Sequence, residues 1–219
     1  MSEPTDITPD SILLSKPRQD RALQALQRIL SATVEIIEKD GARALSTDGI
    51  ARRAKVNIST FYKYFSDKDS VVRYIALDLL NRQTKLQIQL ISEFPEDMPW
   101  QSAMSVLIDT MVQSWSDFSG FREIQKYYLV DEMLHQRYRE TSEEVARTLD
   151  RFKQPWGFDG SDELWVLLHV IFGDCACALL DLASTSDKGR SEISSHVVIT
   201  ELHRIAHSYL GQHFKPPKT

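Results

Sequence analysis

Apolar side chains recur at helical spacing along most of the chain. Between residues 20 and 40, apolar residues and one threonine lie three or four positions apart, which places them on one face of a helix. They are Leu26, Ile29, Leu30, Thr33, Val34 and Ile37. The same spacing predicts further helices at about 68–93, 99–118, 121–130, 131–153, 162–183 and 191–211. Because only eight glycines and eight prolines interrupt the chain, the pattern predicts an all-α protein.

Two shorter helices are predicted between Ser46 and Phe65. Ser46 and Asn57 are residue types that cap helix N-termini, and each stands where a short helix would begin. Phe61 and Phe65 are four apart and share one face, which requires a core. The remaining polar side chains of the second helix are Ser59, Thr60, Tyr62 and Lys63. Hydroxyls, a phenol and a cation suit phosphates and base edges, so this helix is a candidate recognition helix that lies against DNA.

The charge distribution supports a nucleic-acid partner for this region. The chain of 219 residues carries a formal net charge of −5. From Lys16 to Arg73, however, 12 lysines and arginines stand against 7 aspartates and glutamates. A basic N-terminal module on an acidic body is the distribution that a local phosphate footprint requires.

Several features predict a protein of the reducing cytoplasm. Residues 1–19 are polar and lack the regions of a signal peptide, so a flexible tail is expected there. The longest apolar stretch, residues 164–183, is interrupted by His169, Gly173, Asp174 and Asp181. These residues favour a buried bundle helix over a membrane span. Cys175 and Cys177 are two apart on this helix and do not face each other, so free core thiols are expected.

Carboxylates within apolar helical stretches mark a candidate ligand pocket. An unpaired buried carboxylate is costly, so Asp109 and Asp174 are each exposed, paired or lining a cavity. A cavity that holds either of them among aromatic side chains would suit a cationic or aromatic small molecule. The candidate lining residues are Asp109, Trp115, Tyr127, Tyr128, Trp165, Phe172 and Asp174. The alternative is that the carboxylates are paired or exposed and the aromatic residues belong to the core.

No metal, cofactor or catalytic centre is predicted. His203 and His207 are four apart, a spacing that can share a metal, but no acidic residue accompanies them in a metal-binding motif. Interface or surface histidines are therefore expected. The sequence also shows no glycine-rich phosphate loop and no nucleophile elbow, so nothing indicates an enzyme.

Residues 21–80 resemble the DNA-binding region of the tetracycline-repressor (TetR) family of bacterial transcriptional regulators. The resemblance rests on an Ile-Ala pair, a short turn, Tyr-x-Tyr-Phe and a lysine three positions later. The matching residues are Gly41, Ile50, Ala51, Ala54, Val56, Thr60, Tyr62, Tyr64, Phe65, Lys68 and Val71. Lys55 stands where the family usually has glycine, and Asn57 where serine is common. At Lys55 we expect either a strained turn, if φ is positive, or an added phosphate contact.

The resemblance implies which residues contact DNA. The expected set is Ser46, Lys55, Asn57, Ile58, Ser59, Thr60, Tyr62, Lys63 and Lys68. Tyr62 and Lys68 would bind phosphates, and Thr60 a phosphate or a base. The major groove would face Ile58, Ser59 and Lys63, with Ile58 against a thymine methyl and Lys63 at a guanine edge.

The resemblance also implies the domain organisation and the mechanism. A helix-turn-helix domain at 20–70 and a helical ligand-binding and dimerisation domain at 71–213 would lie between flexible tails at 1–19 and 214–219. The expected partners are a palindromic double-stranded operator, a small-molecule effector and a second copy held through the last two long helices, with no membrane. The predicted function is that of a ligand-responsive repressor. The alternatives are a scaffold of the same fold that binds a protein co-regulator, and a small-molecule-binding enzyme.

Overall fold

The computed structural model describes residues 8–117, 120–186 and 194–215. Its α-helices are α1 (Asp20–Asp40), α2 (Thr47–Arg53), α3 (Ile58–Tyr64), α4 (Lys68–Ser92), α5 (Trp100–Asp117), α6 (Phe121–Val130), α7 (Glu132–Thr148), α8 (Asp162–Ser186) and α9 (Ser195–Leu210). Short 3-10 helices lie at Pro9–Ser11, Ala42–Ala44 and Asp150–Phe152. The described residues form no β-strand beyond an isolated bridge between Phe158 and Phe214. The predicted all-α class is confirmed.

The helices form two compact units. The N-terminal unit comprises residues 1–82 and 119–138, and the second unit comprises residues 83–118 and 139–219. Helices α4 and α7 each run through one of these boundaries. The functional division at residue 70 stays a prediction.

Helix α1 begins and ends where the sequence pattern predicts. Its buried face includes Ile29 and Ile37, and it also buries Thr33. The Thr33 hydroxyl donates to the Ile29 carbonyl oxygen over 2.8 Å, so the buried polar group is satisfied. Gly41 follows the helix with φ 80°, a conformation that side chains disfavour. Glycine therefore ends α1 for a conformational reason.

The core of the N-terminal unit is built on aromatic side chains from α3 and the residue that follows it. Phe61, Tyr64 and Phe65 are buried, and the ring centroids of Phe61 and Phe65 lie 5.8 Å apart. Helix α2 contributes Ile50 and Ala51, which are also buried. Because this core holds α3 by one face, the side chains on its opposite face are directed to solvent.

Polar contacts within the N-terminal unit join α4 to α6. The Tyr128 hydroxyl donates to a backbone carbonyl of α4 over 3.0 Å, and the Tyr127 hydroxyl donates to the Asp69 carboxylate over 3.3 Å. Arg73 pairs with Asp131, the residue that ends α6. The hydrogen bond to Asp131 raises the pKa of Arg73, and burial together with Asp69 raises the pKa of Tyr127. The first turns of α4 are thus fixed by α6.

The second unit packs around an aromatic cluster. Phe152, Trp156, Trp165 and Phe214 are buried, and the rings of Phe152 and Trp156 stack with centroids 4.8 Å apart. The indole N–H groups of Trp156 and Trp165 each donate to a backbone carbonyl 2.8 Å away. The cluster is therefore a satisfied core rather than a set of orphaned polar groups.

The loop between α7 and α8 binds the end of the described chain. Gly157 has φ 66°, and the Lys215 N–H donates to its carbonyl oxygen over 3.1 Å. A Cβ at residue 157 would lie 2.3 Å from the Lys215 carbonyl oxygen, so only glycine fits there. This pairing buries Phe214, which falls in the segment predicted to be a flexible tail. The rest of that segment, residues 216–219, lies outside the described residues.

Helix α8 is apolar on more sides than its own unit covers. Residues 162–180 have a mean hydropathy of 1.8, and by length and composition alone this one helix of the described chain is apolar enough to cross a membrane. Trp165, Leu168 and Ala176 pack into the core of the second unit. Leu167 and Ile171 remain 50% and 36% exposed. The buried bundle helix that the sequence predicts therefore has an uncovered apolar side.

Candidate nucleic-acid interface

Both short helices are capped by the residues that the sequence predicts. The Ser46 hydroxyl oxygen accepts the N–H of Gly49 over 3.1 Å, and the Asn57 side-chain oxygen accepts the N–H of Ser59 over 3.0 Å. A Cβ at residue 49 would lie 2.8 Å from the Ser46 hydroxyl, so glycine there leaves room for the cap. Each cap stabilises its helix by about 1 kcal/mol, which matters for helices of only seven residues.

The turn between α2 and α3 contains a left-handed lysine. Lys55 has φ 53°. Among the described residues, it is the one residue other than glycine that has a positive φ. Its N–H donates to the Arg52 carbonyl over 3.2 Å, and the Val56 N–H donates to the Ala51 carbonyl over 3.0 Å. These two bonds form a Schellman motif, which usually places glycine where Lys55 stands. The expected strained turn at Lys55 is confirmed.

Tyr62 links the two helices at their exposed surface. Its hydroxyl lies 3.2 Å from the Thr47 hydroxyl at the start of α2, and its ring stands edge-on to Phe61 with centroids 5.5 Å apart. Tyr62 is nevertheless 49% exposed. The phenol is therefore held at the surface, and when the Thr47 hydroxyl donates to it, the Tyr62 O–H can donate to a phosphate.

The structure brings the residues predicted to contact DNA together in the N-terminal unit. Ser46, Lys55, Asn57, Ser59, Tyr62 and Lys63 are exposed, and Ile58, Thr60 and Lys68 are half-buried. The Ser59 hydroxyl donates to Asn57 over 3.0 Å, so its oxygen is left as an acceptor. The Lys63 amino group lies 5.6 Å from the centroid of the Tyr64 ring, near the C-terminal end of α3. The roles of these residues on DNA stay a prediction.

Lys68 begins α4 directly after an N-terminal cap. The Ser70 N–H donates to the Asp67 carboxylate over 2.6 Å, and the Asp67 N–H donates to the Ser70 hydroxyl over 3.2 Å, as in a capping box. Burial alone would raise the pKa of Asp67, but hydrogen bonds from Ser70 and Ser66 outweigh it and leave this pKa below its usual value. A lysine at a helix N-terminus is well placed to bind an anion.

The residues predicted to line a ligand pocket fall in both units. Tyr127 and Tyr128 belong to the N-terminal unit, where their hydroxyls bind α4. The side chain of Trp115 lies outside the part of the chain that the structure describes. The others belong to the second unit: Asp109, Trp165, Phe172 and Asp174.

Asp109 and Trp165 make contacts within the second unit. The Asp109 carboxylate is 67% exposed and lies 3.1 Å from the His203 imidazole, and Trp165 belongs to the aromatic core. Phe172 is half-buried and Asp174 is exposed. The ligand pocket stays a prediction.

The histidines and cysteines form no candidate metal site among the described residues. His203 contacts Asp109, and the His207 ring lies 3.4 Å from the Ser105 hydroxyl and packs on Trp100. Neither Cys175 nor Cys177 forms a disulfide, as the sequence predicts, but Cys175 is exposed and Cys177 is half-buried, so the prediction that both belong to the core is wrong.

Sequence reasoning did not identify two contributors to this surface. Thr47 positions the Tyr62 hydroxyl, and its place directly after the capping serine was the available signal. Residues 15–19 form an open cleft with Lys63, and their Lys16 and Arg18 were a visible basic pair in a segment interpreted as a tail.

Comparisons with known proteins agree with this geometry. Residues 29–75, from the middle of α1 into α4, match the family described as bacterial regulatory proteins, tetR family. The HTH-type transcriptional regulator TtgW of Pseudomonas putida is 27% identical over 135 residues, which cover 61% of this chain and 92% of TtgW. The HTH-type transcriptional regulator EthR of Mycobacterium tuberculosis is 26% identical over 132 residues, which cover 58% of this chain and 54% of EthR. The chain thus matches little more than half the length of EthR.

Solved structures share the fold over most of the chain. A TetR-family transcriptional regulator from Streptomyces coelicolor has a TM-score of 0.64 at 23% identity, covering 87% of this chain and 99% of that one. The fatty acid degradation regulator FadR from Bacillus halodurans has a TM-score of 0.66 at 14% identity, covering 87% and 96%. At these identities the likeness shows the fold.

The capped pair of short helices and these matches define a helix-turn-helix transcriptional regulator. Residues 29–75 match the TetR family of bacterial regulatory proteins, and the chain shares the fold of TetR-family structures. TtgW, EthR and the two proteins of known structure are regulators rather than enzymes. The predicted family and the predicted regulatory, non-enzymatic class are confirmed.

Proposed function

We propose that the protein is a repressor that binds a palindromic operator as a homodimer and releases it when a small molecule binds. The observation that carries the proposal is the exposed, preorganised helix α3. Its N-terminus is capped by Asn57, its inner face is anchored by Phe61, and its Tyr62 hydroxyl is held by Thr47. Because these groups are ordered before DNA arrives, binding costs little side-chain entropy.

Two kinds of contact would fix the helix on DNA. Tyr62 and Lys68 bind backbone phosphates on either side of the major groove, which sets the register. Ile58, Ser59 and Thr60, in the first turn of α3, reach base edges. Ile58 is apolar and suits a thymine methyl, whereas Ser59 and Thr60 carry hydroxyls for polar base edges.

The uncovered apolar side chains of α8 and α9 support the homodimer. Both helices expose large apolar residues, and α8 and α9 pack against each other in the second unit. The exposed residues are Leu167, Ile171, Val197, Ile205 and Tyr209. Soluble monomers rarely leave large contiguous apolar patches uncovered, and a second copy would cover them with the same surface. The two helix-turn-helix modules of the dimer then match two operator half-sites that lie at least one turn of the DNA helix apart.

The effector would bind in the second unit and act through the equilibrium between two arrangements. An aromatic or cationic molecule, the predicted ligand class, would contact either Phe172 or Asp174 of α8, because residues two apart on a helix do not face each other. Such a molecule weakens operator binding only to the extent that it prefers the released arrangement. We place this activity in the cytoplasm, where chromosomal DNA is the partner.

Selection of bound fragments from random duplex DNA tests the operator-binding function. The full-length protein is expected to enrich a palindromic sequence whose half-site spacing follows the helical repeat. Enrichment of no sequence would contradict the proposal and would favour the scaffold or enzyme alternatives.

Substitutions at Tyr62 and Lys68 test the named contacts on the selected duplex. Lys68→Ala should weaken binding to all duplexes alike and lower the salt-dependence slope by about 1 per protomer. Tyr62→Ala should weaken binding with little change in slope, because it removes no charge. Arg82→Ala is the matched control, since Arg82 is an exposed cation of α4 that lies 14 residues beyond Lys68, about 21 Å along the helix. Unchanged affinity in both variants, or equal losses in the control, would refute the assignment.

A further inference from the structure

We propose that a basic cleft beside α3 binds a DNA phosphate that flanks the half-site, so that each protomer contacts more DNA than its helix-turn-helix alone reaches. The basic cleft is formed by residues 15–19 together with Ala22 of α1 and Lys63 of α3. The inference rests on the proposed DNA-binding function and extends it to residues that precede α1.

Backbone hydrogen bonds hold the segment that forms the cleft. The Leu14 N–H donates to the Tyr64 carbonyl oxygen at the end of α3 over 3.0 Å. The ring of Tyr64 is buried, and its hydroxyl donates to the carbonyl of Ala22 over 3.4 Å. The same aromatic residue therefore joins α3 to the preceding segment and to α1. Residues 15–19 lie between these two anchors.

The charges of the cleft suit an anion. Its volume is about 530 Å³, and among the described residues that line it, Lys16, Arg18 and Lys63 are cationic and none is acidic. Gln19, at the N-terminus of α1, makes no side-chain cap. Its carbonyl oxygen accepts the N–H groups of Ala22 and Leu23, which leaves those of Asp20 and Arg21 for another acceptor. These N–H groups add partial positive charge to the three side chains. An anion in the cleft would interact with both the backbone N–H groups and the three cationic side chains.

Asp10 competes with an incoming anion for Lys16 in the free protein. The Asp10 carboxylate lies 3.4 Å from the Lys16 amino group, and both side chains are more than half exposed. An exposed ion pair of this kind is worth less than about 1 kcal/mol. A polyanion can therefore displace Asp10, and removal of Asp10 should strengthen binding in the cleft.

The position of the cleft identifies the anion as a DNA phosphate. Lys63 belongs both to the cleft and to the exposed face of α3, where it directly follows Tyr62. The cleft is open to solvent, and the Lys16 side chain is 66% exposed, which suits the backbone of a polymer better than an enclosed small anion. A strand contacted by Tyr62 would continue toward Lys63, Arg18 and Lys16. Lys63 then binds a phosphate, in place of the guanine edge that the sequence alone indicated.

The test measures how binding depends on flanking DNA. The selected duplex is prepared in a trimmed form that ends at the half-sites and in a form with several further base pairs on each side. Wild type should bind the longer duplex about tenfold more tightly or better, because the trimmed duplex lacks the flanking phosphates. Lys16→Ala/Arg18→Ala should lose this preference, and its salt slope on the longer duplex should fall by about 1.8 per protomer.

Two further variants control the result. Asp10→Asn should bind the longer duplex more tightly than wild type, because it frees Lys16. Arg82→Ala removes a cation from α4 and should keep the flank preference. An unchanged preference in the double variant, or an equal change in Arg82→Ala, would overturn the cleft proposal while operator binding stands. Failure of wild type to bind either duplex would overturn both proposals.

Discussion

Lys55 combines a backbone strain with a charge, and the two can be separated by substitution. The residue has φ 53° in the Schellman motif that ends α2, and its side chain is exposed. Arg28 donates to the Lys55 carbonyl over 3.5 Å, a contact that any residue at position 55 would retain. Lys55→Gly removes both strain and charge, whereas Lys55→Ala removes the charge and keeps the strain.

The magnitude follows from the backbone conformation. A residue with a Cβ in the left-handed region costs about 1–2 kcal/mol relative to the right-handed region. Glycine relieves this cost but loses about 0.5–1 kcal/mol through the greater freedom of its unfolded chain. Lys55→Gly should therefore raise the free energy of unfolding by about 0.5–1 kcal/mol. Lys55→Ala should stay within about 0.5 kcal/mol of wild type.

Urea denaturation at one fixed protein concentration measures the strain, and operator binding at several salt concentrations measures the charge. If Lys55 contacts a phosphate, both variants should lower the salt slope by about 0.9 per protomer. If it does not, neither slope changes. Equal stability of the glycine and alanine variants would refute the strain argument, since both lose the same charge and only one retains a Cβ.

Two further predictions concern the second unit. Arg151 donates to the carbonyls at the C-terminal end of α4, including that of Ile91 over 2.7 Å. Arg151→Met should therefore lower the free energy of unfolding by about 2 kcal/mol, measured by urea denaturation. A loss below about 0.5 kcal/mol would contradict this role. Burial lowers the pKa of His169 to about 4 from its usual 6.5. As the pH falls, the unfolded chain therefore binds a proton at this histidine before the folded protein does. The free energy of unfolding should fall between about pH 6.5 and pH 4, by up to about 1.4 kcal/mol per pH unit. His169→Gln should remove this part of the pH dependence, and parallel stability curves for the two proteins would argue against it.

The boundaries of α1 and the caps of the two short helices were predictable because their causes are local, whereas α7 was predicted to reach about residue 153 and ends at Thr148. Helix α1 runs from Asp20 to Asp40, and the signals that set it, its apolar stripe and the Gly41 that follows it, are local features of the sequence. Ser46 and Asn57 cap their helices through bonds to residues two or three positions away. The positive φ at Lys55 was predictable only through the family resemblance, because glycine usually stands there.

Contacts between distant residues were not predictable in the same way. Arg73 and Asp131 are 58 positions apart, and nothing near either residue indicates the other. Phe214 stands beside a terminal stretch rich in proline and lysine, yet it is buried against Trp156 and Trp165. Tyr127 donates to Asp69, which lies 58 positions earlier in the chain. In each case the partner is supplied by tertiary packing, which periodicity does not encode.

The apolar character of α8 has an explanation that needs no lipid. A membrane-spanning helix would present apolar side chains on every side, but the indole of Trp165 donates to a backbone carbonyl of its own unit, and Leu168 and Ala176 are buried there. The uncovered residues Leu167 and Ile171 are four apart and so lie on one face of the helix, as expected of a surface that packs against a single partner. Because α9 packs on α8 and also exposes apolar residues, a second copy of the same helices would offer a surface of matching chemistry, as in the homodimer that we propose. The hydropathy of α8 therefore supports the proposed homodimer more directly than it supports a membrane.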